Sequence, residues 1–258
     1  NQSAHGDREY GHIVSRMGIE RKIIVGHWAN AAVQEKLAGW MRTAIGVMES
    51  SHIRVCRFGD NMNNVAVTEG DKVEAQIKFG WEIDHYNVND VVKYVDAVHK
   101  GDVDTLLEEY YSKYVMVLDG RDEAEFRKHL AVQAQIELGM EKFLVEKDYQ
   151  AVVTHFGMLG GLQQLPGLAI QRLMEKGYGF GGEGDWKTAA MVRLMKIMAE
   201  GVKDAKGTSF MEDYTYNLVP GKGGILQAHM LEVCPTVADG PISVRVNPLS
   251  MGNREDPA

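Results

Sequence analysis

Cysteine is almost absent: Cys56 and Cys234 are the only two in 258 residues. Each sits in an apolar run, Ile53-Arg54-Val55-Cys56 and Leu231-Glu232-Val233-Cys234. So little thiol excludes a disulfide-stapled scaffold and a thiolate-rich zinc centre. Two buried free thiols in a reducing cytoplasm are the expectation. Basic charge is also in short supply. Lys and Arg number 28 against 36 Asp and Glu, a net charge of −8. Phosphate recognition and docking on anionic lipid need clustered positive charge, so no nucleic-acid partner and no membrane partner are expected. No stretch approaches the roughly 18 apolar residues of a membrane helix, and no secretory leader pattern is visible. The chain opens on Asn1-Gln2-Ser3-Ala4-His5-Gly6 without an initiator Met and stops as abruptly over residues 253–258, so a piece of a longer chain is expected.

What is present is the profile of an ordinary globular protein, 45% hydrophobic and 25% charged residues, with enough length for one large or two modest domains. Apolar spacing predicts helices over residues 8–17 and 31–48. In the second, Val33, Leu37, Trp40, Met41, Ile45 and Met48 share a face. A short strand is expected over 54–58, then helices over 68–79, 91–98, 102–111 and 123–145. The β-branched run over 152–156 reads as a buried strand. Pro166 opens a helix over 167–176, and another is expected over 188–202. Short strands alternating with helices argue for α/β layering around a parallel sheet. Near residue 205 the pattern changes. Residues 208–217, 225–233 and 241–246 read as strands between Gly and Pro turns, the start of a second, all-β domain.

Three features carry candidate chemistry. Gly179-Phe180-Gly181-Gly182-Glu183-Gly184 matches G-x-G-x-x-G, but Glu183 would set a carboxylate where a pyrophosphate should lie. The alternative is a tight turn that projects Glu183 into a cleft at the carboxyl end of a strand, where open α/β sheets place ligands. In residues 209–216, strand alternation puts Glu212, Tyr214 and Tyr216 on one face; a solvated edge is the commonplace reading. In residues 227–235, His229 faces away from Glu232 if the strand is regular, and a lone strand histidine is usually structural. Taken together, Glu183, Glu212 and His229 form a mixed oxygen and nitrogen donor set. Such a set suits Mn²⁺, with Co²⁺ or Mg²⁺ as competitors.

Several strings, in shared order and spacing, resemble L-arabinose isomerases along almost the whole chain. They are Cys56-Arg57-Phe58-Gly59-Asp60-Asn61-Met62, Gln76-Ile77-Lys78-Phe79-Gly80, Gln164-Leu165-Pro166-Gly167-Leu168-Ala169, Gly182-Glu183-Gly184-Asp185-Trp186-Lys187-Thr188-Ala189-Ala190, residues 208–216, and His229-Met230-Leu231-Glu232-Val233-Cys234-Pro235. The resemblance implies a fold class: α/β, with a Rossmann-like parallel-sheet central domain followed by the start of an antiparallel β-barrel domain. The implied division is 1–50 (end of an N-terminal α/β domain and connecting helices), 51–205 (central domain) and 206–258 (incomplete β domain). It implies interconversion of L-arabinose and L-ribulose, and often of D-galactose and D-tagatose, usually with Mn²⁺. Glu183, Glu212 and His229 match metal ligands; a second histidine ligand of the family lies in a C-terminal segment outside this chain. Glu183 and Glu212 are the implied acid/base pair. Gln2, His5, Met62, Phe156, Phe210 and Met230 match substrate-contacting positions. By the same resemblance, Gln2 and His5 are expected to act across a subunit interface in a hexamer. The rivals are a non-catalytic sugar-binding α/β module, a dinucleotide-dependent oxidoreductase, and an inactive fragment of the isomerase.

Overall fold

Residues 54–58 alternate between two apolar environments, and that alternation organises the molecule. In the computed structural model, which describes residues 3–203, 205 and 207–246, strand β1 (Arg54–Phe58) lies inside a four-stranded sheet. Its neighbours are β2 (Glu82–Tyr86) on one side and β4 (Ala151–Val153) on the other, with β5 (Gly179–Gly181) beyond β4. Every pairing is parallel. Cys56, Phe58 and Val152 point into a core shared with α4 (Val88–Asp96), α6 (Glu123–Glu146) and α7 (Gly167–Glu175). Val55, Ala151 and Val153 point the other way, toward α3 (Lys72–Phe79) and α8 (Trp186–Ala199). A sheet covered on both faces must be apolar on both, which is why β4 reads as an unbroken apolar run. Both cysteines are buried and free.

The chain divides into two compact units, Asn1–Ile45 and Gly46–Ala258. The first holds α1 (Ser3–Arg16) and the larger part of α2 (Ala31–Ser50). The expected apolar face of α2 exists as a helical stripe, yet Leu37, Trp40, Met41 and Ile45 are exposed. No described helix is long and apolar enough to cross a membrane.

Several elements depart from expectation. The helix expected over 68–79 is two pieces, a 3₁₀ turn at Ala66–Thr68 and then α3, because Asp71 accepts from Glu74 N and starts a new helix. Strand β2 escapes a search for apolar alternation. It is an edge strand whose Glu82 and Asp84 take up the Arg54 guanidinium at 3.1 and 3.0 Å. The segment expected as a strand over 241–246 yields only β8 (Ser243–Val244). It pairs in parallel with β3 (Val115–Met116) and not with the hairpin before it. That hairpin is β6 (Glu212–Asn217) against β7 (Gly224–Ala228), antiparallel, with a register shift between Asp213 and Thr215.

Helix α5 (Lys100–Lys113) packs on α6 through Leu106, Leu107, Phe126 and Leu130. Below that contact is a buried polar network. Glu137, wholly buried, accepts from Tyr110 Oη at 2.6 Å, Arg172 Nε at 2.8 Å and Lys176 Nζ at 3.0 Å. Asp122 caps α6, accepting from Ala124 N and Glu125 N. Asp122→Ala is expected to cost about 1 kcal/mol, read as a lowered urea midpoint with unchanged slope.

Candidate active site

The order β2-β1-β4-β5 places a topological switch point between β1 and β4, because the chain leaves β1 for β2 on one side and returns to β4 on the other. The loops leaving β1, β4 and β5 meet there. Met62 N donates to Glu183 O at 3.1 Å, and Gly184 N donates to Thr154 O at 3.2 Å. These bonds tie the β5 loop to both neighbours.

Glycine explains how that loop turns so tightly. A Cβ on Gly181 would sit 2.0 Å from Asp185 O, and one on Gly184 would sit 2.8 Å from Asn61 Cα. Strand end and helix start are thus packed backbone to backbone, and Gly184 has φ +91°. Glu183 between them also adopts a left-handed backbone, φ 57°, a conformation that costs a non-glycine residue on the order of 1 kcal/mol or more. Asp185 then caps α8, accepting from Thr188 N at 3.0 Å. The glycines serve close packing and the projection of Glu183; the dinucleotide reading loses its support.

The hairpin and the residue that follows it carry the other two expected ligands, Glu212 and His229. Glu212 opens β6 opposite Ala228, so the residue after Ala228, His229, lies alongside it. His229 and Glu232 are expected on opposite faces only of a regular strand, and the strand is not regular there. Strand β7 ends at Ala228, and residues 230–231 bend, so alternation no longer applies. His229 Nδ1 lies 2.6 Å from Glu232 Oε2, and both side chains are buried. Phe156 stacks on the His229 ring at 5.7 Å and 17°, and Phe210 meets it edge-on at 4.8 Å. A Cβ on Gly182 would lie 3.4 Å from Phe210 and 3.9 Å from His229 Cε1, which puts the imidazole beside the Glu183 loop.

Electrostatics ties the three together. Burial pushes the Glu183 carboxyl above the usual carboxylate range, and the Glu212 charge pushes it further, against a smaller opposing effect of His229. Burial pulls His229 down, but the hydrogen bond and charge of Glu232, with Glu212 and Glu183 beyond it, outweigh burial and raise it. The donor chemistry fits a hard divalent cation, and two carboxylates that repel one another are what such a cation relieves. Yet among the described residues no group of three His, Cys, Asp or Glu side chains stands close enough to hold a metal ion.

The remaining expected site residues divide. Met62, half-buried, Phe156 and Phe210 border the Glu183–His229 region. Met230 does not join them. It lines a separate cavity of about 170 Å³ with His129, Gln133, Gln164, Gln171 and Arg245. His5 is exposed on α1, hydrogen-bonded to Arg8 at 2.9 Å, and Gln2 lies outside the described residues. Glu232 is the polar neighbour that sequence reading misses. Its signal would have been the Pro235 that follows, which cuts short the regular strand that alternation assumes.

Known proteins match the chain throughout. The L-arabinose isomerase central domain is matched over residues 54–201, the N-terminal domain over 1–52 and the C-terminal domain over 207–258. The chain belongs to the L-arabinose isomerase family. Among curated L-arabinose isomerases it is 58% identical to that of Geobacillus stearothermophilus, 56% to that of Bacillus subtilis and 54% to that of Halalkalibacterium halodurans. Each comparison covers all of this chain and 51% of the relative. The chain therefore spans about half the length of the curated L-arabinose isomerases it matches.

Proposed function

We propose that this chain carries catalytic groups of a metal-dependent aldose–ketose isomerase that interconverts L-arabinose and L-ribulose, with D-galactose and D-tagatose as a second pair. The reading is supported by Glu183, which follows β5 at the carboxyl end of the parallel sheet within electrostatic reach of Glu212 and His229, in a member of that family. Glu183, Glu212 and His229 would hold a divalent cation, Mn²⁺ before Co²⁺ or Mg²⁺. When bound, the cation supplies positive charge that polarises the sugar carbonyl and offsets the charge developing on its oxygens. One of the two glutamates takes the proton from C2 of the open-chain aldose; the C–H electron pair becomes the C1–C2 double bond as the C1–O1 π pair moves onto O1; O1 then gains the proton that O2 gives up, the carbonyl forms at C2, and a proton that can exchange with solvent while on the glutamate is delivered to C1. The raised pKa of Glu183 supports such a role, because a base nearer neutrality is better matched to the step. Met62, Phe156 and Phe210 wall the sugar site and exclude water. His5 and Gln2 are proposed to serve a neighbouring subunit's site in a hexamer, Met230 to take part once the cavity it lines is joined to that site, and residues 206–258 to begin a β-barrel.

The chain by itself is proposed not to turn over. The unclosed donor set supports this, since a cation held by three separated groups cannot be fixed in one geometry. The deciding experiment measures L-ribulose formed from L-arabinose, with Mn²⁺ and after chelation, for this chain and for a version extended to the length of the relatives. Metal-dependent conversion by the extended version only is the expected result. Sugar binding that ignores metal, with no conversion in either, would leave a non-catalytic sugar-binding module. A second expected outcome needs no turnover: Mn²⁺ at 100 times its Kd stabilises the chain by about 2.7 kcal/mol, read as a rise in Tm. Glu212→Gln should remove most of that rise.

A further inference from the structure

Glu232 has no part in the chemistry assigned above, yet it is sealed beside it. Its side chain is 0% exposed, its Oε2 lies 2.6 Å from His229 Nδ1, and its Oε1 has no hydrogen-bond partner among the described residues. A buried carboxylate with one oxygen unsatisfied costs stability, so packing alone is a poor reason for its presence. Its one strong hydrogen bond commits the charge to the imidazole.

The segment that carries Glu232 is pinned. Gln171 Nε2 donates to Leu231 O. A Cβ on Gly167 would lie 3.0 Å from Leu231 Cβ, so this residue packs directly on the start of α7. Cys234 N donates to Ser209 Oγ at 2.8 Å. Glu232 is thus held from both sides, while Phe156 and Phe210 set the plane of the ring it faces. What the aromatic rings cannot set is which ring nitrogen carries the proton. A carboxylate at Nδ1 does set it, because it can only accept. The lone pair is then left on Nε2.

We propose that Glu232 is a positioning residue: it holds His229 in the Nδ1–H tautomer, so that Nε2 is the free donor of the site. The proposal rests on the reading of His229 as a metal donor, but its test separates the two.

The test is ¹⁵N NMR of the His229 ring in the metal-free chain at alkaline pH, where the ring is neutral, followed by Mn²⁺ titration with free Mn²⁺ counted by electron paramagnetic resonance. Wild type should show the Nδ1–H tautomer. Glu232→Gln, whose amide oxygen still accepts, should keep it. Glu232→Leu, similar in volume with no acceptor, should shift the ring toward the Nε2–H tautomer that free imidazole prefers. It should also weaken Mn²⁺ binding about 10–100-fold, with the far-UV circular dichroism of wild type retained. A wild-type ring in the Nε2–H tautomer overturns the proposal. So does a Leu variant that keeps both tautomer and Mn²⁺ affinity. If the Leu variant does not fold, the wild-type and Gln spectra decide. If Mn²⁺ leaves the wild-type His229 signals unbroadened, the metal reading fails, while the tautomer comparison still decides whether Glu232 orients the ring.

Discussion

Glu183→Gln, made in a version extended to the length of the relatives, is expected to lower conversion of L-arabinose to L-ribulose by about 10³-fold or more, within the range for loss of a positioned acid/base group. A loss of that size is about 4 kcal/mol of barrier. Gln keeps the shape and an oxygen donor but removes both the base and the negative charge facing the proposed cation. The φ of 57° at this position makes Gln the better probe than Ala, since backbone and side-chain volume stay as they are. Glu212→Gln should also be severe, because Glu212 is the charged neighbour that Glu183 senses most strongly. The measurement is release of substrate hydrogen into deuterated solvent, run beside product formation. Undiminished exchange in both variants would remove the two glutamates from proton transfer. Turnover without solvent label would instead favour a hydride shift between C1 and C2.

The second large effect lies far from the chemistry. Glu137→Leu should destabilise the chain by about 3–5 kcal/mol, the usual consequence of removing one member of a buried ion pair. Glu137 is wholly buried and takes hydrogen bonds from Tyr110, Arg172 and Lys176. Its loss strands the Tyr110 hydroxyl and leaves Arg172 with Glu109 and Tyr114. The double variant Glu137→Leu/Arg172→Leu should recover part of the loss, because the buried cation that has lost its buried carboxylate, and keeps only the half-exposed Glu109, goes as well. Chemical unfolding of the two single variants and the double variant gives the coupling. A single Glu137→Leu variant as stable as wild type would show that the network contributes nothing net.

Long, strongly periodic segments are legible in the sequence. Helix α6 and the β1 strand match the expected spans within a residue or so, because their apolar spacing and the Asp122 cap agree locally. Strand β2 is not legible: Glu-Ile-Asp-His-Tyr carries no apolar alternation, and its carboxylates are satisfied from afar, by Arg54, 28 and 30 residues away, and at Asp84 also by the Tyr149 hydroxyl. The candidate site is legible as a list of residues and illegible as geometry. Alternation places His229 and Glu232 on opposite faces, and the structure joins them at 2.6 Å.

The residues by themselves determine the secondary elements with a clear period, the buried free thiols, the tight glycine turn around Glu183, and the family. The tertiary structure alone decides which of those side chains meet. Period-two reasoning holds only while a strand stays hydrogen-bonded in register. The bulge near Tyr214 and the end of β7 at Ala228 break it where the donors lie. What places His229 beside Glu232 is packing against α7 and Ser209, contacts between residues about 25 to 64 apart in the chain that no local pattern encodes.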